Sequence, residues 1–185
     1  IKKASVISYL TVFHRMSAAG GAENAWPDNT YSTPQKRLSF NDEPVVMLHQ
    51  VANTDGNSLV HFRKSDVISV GPMLDLDSYP RIDVKAGGSI QAMVEGLNRL
   101  IVLAVPEANA AGGTLIVPGH GRIADHAEVA YYRDMITIIR DRLQDGIKKN
   151  LTLAQIKAAR PTRDYDARYG KTTGPWTTDM FVEAA

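Results

Sequence analysis

The chain has 185 residues, a formal net charge of +1, 44% hydrophobic residues and 22% charged residues. These values are ordinary for one globular domain, expected over 1–185, and give no electrostatic reason to expect nucleic acid or a membrane surface as a partner. The sequence contains no cysteine, which excludes disulfides, thiolate zinc ligands and a cysteine nucleophile. With no apolar run near ~20 residues and no signal-peptide pattern, a soluble protein of unassigned compartment is expected.

The first half of the chain is typical of an antiparallel meander. Short β-branched or alternating runs, separated by turns rich in Gly, Pro, Asn and Asp, predict strands at 4–10, 38–40, 45–51, 58–63 and 67–70. A brief helix is predicted at 11–19, and residues 20–34 and 71–88 are predicted as irregular loops. His49 and His61 are predicted as strand residues that face solvent or each other.

The second half changes to helical periodicity. A helix is predicted at 89–104 with Ser89 as its N-cap, and a strand follows at 114–117. A Pro-Gly turn is expected to present His120 between two glycines. Further helices are predicted at 125–149, 152–159 and 178–184. This order predicts an α/β (α+β) fold in which a mostly antiparallel sheet is covered by helices on one face.

Four segments of the sequence follow one another in a recognisable order: "LHQVANTDGNSLVHFRKSDVISVGPML", "SYPRIDVKAGGSIQAMVEGLNRLI", "VPGHG" and "YYRDMITIIRDRLQDGIKKNLTLAQIKAARPTRDYDARYG". In this order and spacing the chain resembles the C-terminal half of metallo-β-lactamase-fold hydrolases, from about residue 4 to the end. The resemblance implies one half of an αβ/βα sandwich, in which two αβ halves pack together and one or two zinc ions lie at the edge between the sheets.

The resemblance also implies three groups of metal ligands, most of which are changed here. The H-x-H-x-D-H motif of the N-terminal half does not occur in this chain. Asn53 occupies the position of a histidine ligand, and Pro72 occupies that of a bridging aspartate; only His120 matches a ligand. A neutral amide is a poor zinc ligand, and proline offers no side-chain donor. No cofactor is therefore expected, although zinc is typical of the family, and His120 is predicted to be a residual ligand.

Four further residues are candidates for a pocket near His120: Asp55, Asp75, Asp77 and Tyr79. Asp75 and Asp77 follow Pro72 closely, so a rearranged loop could bring one carboxylate towards the imidazole. The alternative is a solvated acidic loop with no role in a site. No catalytic residue is assigned.

Two classes of function remain open. The first is a degenerate form of the hydrolase fold that acts as a binding or structural module, as a homodimer or with a chain that supplies the missing half. The second is a hydrolase of ester, lactone or lactam bonds, reorganised around His120 with Asp75 or Asp77, or completed in trans. The loss of two of the three ligands expected in this chain favours the first class, because a split enzyme would be expected to keep its ligands.

A dimer would bury the sheet face that the helices leave uncovered. Strands 45–70 are expected at or near this interface, with the helix 125–149 outside. The apolar side chains expected on this face, or those of their strand neighbours, are Val46, Leu48, Leu59 and Val67.

Overall fold

A five-stranded sheet with helices on one face forms the centre of the protein. The structure, a computed structural model, describes residues 4–20, 22–109 and 112–185. Its strands are β1 (Ile7–Tyr9), β2 (Asn29–Tyr31), β3 (Gln35–Phe40), β4 (Glu43–His49), β5 (Ser58–Phe62), β6 (Val67–Asp75) and β7 (Leu115–His120). Its helices are α1 (Leu10–Ala18), α2 (Ile90–Leu103), α3 (His126–Lys148), α4 (Leu153–Ala158), α5 (Asp166–Tyr169) and α6 (Thr178–Ala184). In the described ranges, each helix is too short or too polar to span a bilayer.

The central sheet has the strand order β3-β4-β5-β6-β7 and is antiparallel except for its last pair. β6 and β7 are parallel, and the connection that such a pair requires carries α2. The mostly antiparallel α/β architecture predicted from the sequence is thus confirmed. β1 and β2 form a separate two-stranded parallel sheet, and β2 lies within the segment 20–34 that was predicted to be loop.

One apolar core lies between the sheet and the helices. Its fully buried members, each at most 1% exposed, include Leu59, Ile68 and Ile116 from the sheet, and Leu97 and Ile139 from α2 and α3. Each such side chain contributes about 1.5–3 kcal/mol relative to an exposed one. No residue proposed as a metal ligand belongs to this core cluster, so the fold does not depend on a metal for its hydrophobic stabilisation.

The long helices begin where the sequence predicts. The Ser89 side chain accepts a hydrogen bond from the N–H of Ala92 at the start of α2. Asp125 and Glu128 form a capping box at the start of α3, in which each side chain accepts from the other residue's backbone N–H. These side-chain caps satisfy N–H groups that have no partner within the helix. Each cap is made by residues three positions apart, so the start of each helix can be predicted from the local sequence.

The face away from the helices carries an apolar row with one side chain from each strand. In register, the row is Leu38, Val45, Phe62, Val67 and Leu115. Of the residues expected on this face, Val67 is placed correctly. Val46, Leu48 and Leu59 instead contact the core under the helices, and the alternative of their strand neighbours holds, because Val45, Met47 and Val60 lie on this face. Side chains alternate along a strand, so an error of one position moves a residue to the opposite face.

β6 and β7 extend further than the sequence predicts. β6 continues to Asp75 through a segment predicted to be loop, with irregular register around Gly71. β7 continues through its Pro-Gly pair, so His120 ends a strand and does not lie in a turn. The two strands approach closely at Gly119, where an added Cβ would lie 2.8 Å from the backbone carbon and oxygen of Gly71. This close approach fixes the position of the strand ends that follow.

The two strand histidines face neither solvent nor each other. His61 is 7% exposed, and its Nε2 lies 3.7 Å from Oδ1 of Asp66. His49 stacks on Tyr9 with 3.5 Å between ring centroids. Burial is the largest cause of a lowered pKa at His61, with the charge of Arg63 acting in the same direction and Asp66 offsetting part of the effect.

Stability should therefore fall in mild acid because of His61. The unfolded chain, with a histidine pKa of ~6.5, takes up this proton before the folded protein does, so the free energy of unfolding decreases as pH falls below ~6.5. The contribution is limited to about 1.4 kcal/mol per pH unit and ends below the lowered folded pKa. Urea unfolding of His61→Gln across pH 5–7.5 should show a smaller decrease than the parent chain. His14→Gln, at an exposed position, is the control, and identical pH dependence in His61→Gln and the parent would contradict the expectation.

Candidate functional site

A cavity of about 460 Å³ opens at the carboxyl ends of the parallel strands β6 and β7. Asp75 and His120 are paired at these ends, and both line the cavity. The remaining lining residues are Pro72, Asp77, Ser78, Arg81, Lys171 and Trp176. Carboxyl ends of parallel strands are a common location for ligand sites in α/β proteins. We call this space the polar cavity.

The Asp75 carboxylate is held by its own turn. Its Oδ1 accepts hydrogen bonds from the N–H groups of Asp77 (2.9 Å) and Ser78 (3.0 Å). Its Oδ2 accepts from Oγ of Ser78 at 2.7 Å. A metal or substrate that recruited this carboxylate would have to compete with three hydrogen bonds. Asp75 therefore acts first as a structural residue of the cavity wall.

His120 and Asp77 are the more accessible of the sequence candidates in this cavity. Both side chains are exposed. The His120 imidazole makes no hydrogen bond to any residue in the part of the chain that the structure describes, although its backbone oxygen accepts from Leu76 N–H at 3.5 Å. The structure thus brings His120, Asp75, Asp77 and Pro72 together around one space.

Asn53 lies apart from this space and is buried, with 6% exposure. Its backbone oxygen accepts a hydrogen bond from Asp83 N–H at 2.9 Å. Its side-chain Oδ1 is buried without a donor among the described residues. An unsatisfied buried acceptor costs about 1–3 kcal/mol. The side chain at this ligand position is therefore a neutral, enclosed amide outside the lining of the polar cavity.

Tyr79 was a candidate pocket residue, and the structure places it in the core instead. It is 2% exposed and stacks on Phe181 with 4.8 Å between ring centroids. Its hydroxyl donates to the Thr162 carbonyl (3.1 Å) and to Oδ1 of Asp166 (3.0 Å). Burial, more than its hydrogen bond to Asp166, raises the pKa of Tyr79 well above its ordinary value. The ring joins the turn after β6 to the C-terminal helices.

Asp55 was the other candidate that lies outside the polar cavity. Its carboxylate forms an ion pair with Arg15 and accepts a hydrogen bond from Oγ1 of Thr11 at 3.0 Å. The adjacent backbone oxygen of Asp55 contacts Nε2 of His49 at 2.7 Å. Asp55 thus attaches α1 to the turn between β4 and β5.

Four cavity residues lie outside the site candidates assigned from the sequence: Ser78, Arg81, Lys171 and Trp176. The Arg81 guanidinium carbon lies 5.8 Å from the centroid of the Trp176 ring. Lys171 and Trp176 belong to a loop closed by two hydrogen bonds between Lys171 and Thr178, of 2.8 and 3.0 Å. No local motif marks these residues, because they meet only when the loop before α6 folds against the end of the sheet.

A second cavity, of about 350 Å³, lies on the other side of Pro72. Its apolar lining includes Ile7 of β1, Met47 of β4, Val60 of β5 and Val70 of β6. The rest of its lining is polar but uncharged: Ser8, Tyr9, Thr54, Gly56, Asn57, Ser58 and Gly71, together with Pro72 itself. We call this space the apolar cavity. Sequence reasoning missed it, because the position of β1 beside the sheet has no local signature.

The side chains of the polar cavity do not fit a catalytic zinc ion. Such sites usually take three His, Asp or Glu ligands and leave a position for water. Here His120 is a suitable donor, Asp75 is committed to its turn, and Pro72 has no donor atom. In the described ranges, no group of three or more His, Cys, Asp or Glu residues is arranged to hold a metal. Whether the protein carries zinc remains a prediction.

The fold resembles those of solved metallo-β-lactamase-fold proteins. A metallo-β-lactamase from Pontibacter korlensis matches with a TM-score of 0.56 and 13% identity over 72% of this chain. The BLEG-1 B3 metallo-β-lactamase matches with 0.55 and 17% over 72% of it. The stereoselective inverting sec-alkylsulfatase Pisa1 from Pseudomonas sp. matches with 0.57 and 13% over 85% of it. No protein-family model and no curated protein sequence matches the chain.

These likenesses define the class of fold: the chain has the metallo-β-lactamase fold, as its sequence motifs imply. The chain spans only part of each neighbour, namely 58% of the Pontibacter lactamase, 65% of BLEG-1 and 26% of Pisa1. At such low identity the likeness shows the fold and does not transfer an activity.

We expect the purified chain to hold far less than one zinc per molecule after dialysis, because its ligand positions carry Asn53 and Pro72. Elemental analysis of the parent, of His120→Ala and of the control His14→Ala should give the same low zinc content. A stoichiometric zinc that is lost in His120→Ala and kept in His14→Ala would overturn this expectation.

Proposed function

We propose that this chain is a binding or structural module built on a metallo-β-lactamase fold, without a zinc hydrolase centre of its own, and that it acts by pairing with a second copy of itself. The observation that carries the first part is the chemistry of the ligand positions. Pro72 lines the cavity where a bridging carboxylate is implied, and Asn53 is enclosed in the protein. Without metal charge, a bound water is not acidified to a nucleophile at neutral pH.

The uncovered sheet face supports self-association. Leu115, the last member of the apolar row, is 43% exposed. Phe40 lies on the same face, next to Leu38 of the row, and is 73% exposed. Val45 in the middle of the row is buried at 8% exposure, and Leu38, Phe62 and Val67 are half-buried, so the exposed apolar side chains lie at the two edge strands. Exposed apolar side chains grouped on one face favour a partner surface. A stable interface buries about 800 Å² per partner, which is within the range of a sheet face.

A second copy is the partner to which this proposal commits. Two identical faces related by a two-fold axis place Phe40 of each protomer against the same patch of the other. On the same face Lys36 and Glu43 flank the apolar row, so the face offers one charge of each sign to a second copy. β3 is also an edge strand in the described sheet, and an edge strand next to such a patch favours further association.

A hydrolase with a reorganised or trans-completed centre is the second candidate. The observation in its favour is the pairing of Asp75 with His120 at one end of the polar cavity, which places a carboxylate and an imidazole on neighbouring strands. The three hydrogen bonds already made by Asp75 oppose it. No nucleophile or oxyanion donor is assigned in this cavity.

We expect the chain to elute as a dimer, at twice its 20.2 kDa, at micromolar concentration. Replacing exposed apolar side chains of the patch by lysine should give monomers, because each copy would then bury an unpaired charge. Light scattering coupled to size exclusion compares the parent with the double variant Phe40→Lys, Leu115→Lys. Val102→Lys on α2, 84% exposed and away from the patch, is the control. A monodisperse parent monomer would refute self-association.

Restoring the two changed ligands should not by itself create an efficient hydrolase. The variant Asn53→His, Pro72→Asp regains two donors, but the H-x-H-x-D-H cluster is still missing from the chain. Turnover of an ester, a lactone and a β-lactam with added zinc should stay close to that of the parent. A large zinc-dependent gain would show instead that the remaining ligands are supplied from another source, and would favour the hydrolase.

A further inference from the structure

The polar and apolar cavities meet at Pro72, which lines both of them. Their linings differ sharply in chemistry. The polar cavity contains the side chains of Asp75, Asp77, Arg81, His120 and Lys171, whereas no charged residue lines the apolar cavity. At about 460 and 350 Å³, each lies within the size range of small-molecule pockets. Pro72 presents an uncharged ring to both spaces, where a carboxylate would place a charge between them.

The charges of the polar cavity are not evenly compensated. The Asp75 carboxylate accepts three hydrogen bonds from its own turn, which offset its charge locally. Arg81 stacks on Trp176, and neither Arg81 nor Lys171 has a carboxylate within 4 Å in the described part of the chain. These two cations are therefore available to an anionic group in the cavity.

The apolar cavity has walls that belong to the fold. Met47 is 7% exposed and Val70 is 1% exposed, so this part of its lining is held by close packing. Ile7 closes the cavity from β1, which is held in place by pairing with β2. A hydrocarbon chain that enters this space would leave water and contact fixed apolar side chains. The free energy of binding would come from the apolar area removed from water.

We propose that the joined cavities bind a small amphipathic anion, which is an apolar chain with one carboxylate or phosphate head. The head lies in the polar cavity with Arg81 and Lys171, and the chain crosses Pro72 into the apolar cavity. No residue of the apolar row lines this site, although Met47 and Val60 lie on the same sheet face, in the part of it next to β1. The proposal is therefore tested by ligand binding and does not rest on self-association. It also does not require a metal.

Titration calorimetry with octanoate as the probe tests the proposal on the full chain. Acetate is the probe for the carboxylate head without the long chain, and 1-octanol is the probe for the chain without the charge. We expect one octanoate per chain and an affinity at least about tenfold above that of either half-probe, since both cavities must be filled. Absence of octanoate binding, or equal binding of octanoate and either half-probe, would overturn the proposal.

Substitutions at the charged end should act in opposite directions. Arg81→Gln and Lys171→Gln each remove an attractive charge and should weaken octanoate about threefold to tenfold, because ion pairs at exposed positions are modest. Asp77→Asn removes an exposed carboxylate from the same cavity and should strengthen octanoate binding about twofold or more. Lys85→Gln, at an exposed position outside the cavity, is the matched control. Affinities that do not move in these directions would exclude the proposed position of the head.

A substitution at the apolar end tests the position of the chain. Val60→Ser introduces a hydroxyl into the apolar cavity and should weaken octanoate without changing the weak binding of acetate. Val102→Ser on the surface of α2 is its control, and circular dichroism verifies that each variant is folded. If Val60→Ser and Val102→Ser bind octanoate as tightly as the parent, the chain does not occupy the apolar cavity and the proposal fails.

Discussion

The close parallel pairing of β6 and β7 is the constraint on which the rest of the site depends. At Gly119 the two backbones are too near for any side chain, since a Cβ there would lie 2.8 Å from the backbone carbon of Gly71. This contact draws β7 alongside the irregular second half of β6, and it brings Asp75 and His120 to the same sheet edge. The turn after β6 and the loop before α6 then close the polar cavity from two sides. Without this approach the charged residues would have no common space.

The hydrophobic stabilisation of the fold does not come from the two positions that the resemblance implies as ligands. The core is formed by apolar side chains of the sheet, α2 and α3, and neither Asn53 nor Pro72 belongs to it. The same positions now have different physical roles. Asn53 is enclosed and holds the segment near Asp83 through its backbone oxygen. Pro72 lines both cavities and contributes an uncharged ring to each.

The two faces of the central sheet have different consequences for function. The helix-covered face encloses His61, whose burial lowers the pKa of the imidazole and favours its neutral form. The other face leaves Phe40 and Leu115 exposed at the two edge strands of the sheet. Because strand side chains alternate, the same few strands produce a closed core on one side and, on the other, a face whose two edge strands carry exposed apolar side chains. The polar cavity lies at the end of the sheet, whereas the apolar cavity uses Met47 and Val60 from the face away from the helices.

The sequence by itself determined the features that depend on neighbours in the chain. Ser89 and Asp125 cap helices by bonding to N–H groups three residues away, and helical periodicity is likewise local, so α2 and α3 were predicted within a residue or two. The identity of Asn53 and Pro72 at ligand positions could also be seen from the motifs. Only the tertiary structure decided which face each strand residue takes, that β6 and β7 pair in parallel beyond their predicted ends, and that Tyr79 is core. It also decided that Arg81 and Lys171 line one cavity, because residues distant in sequence come together only through packing, which no local pattern encodes.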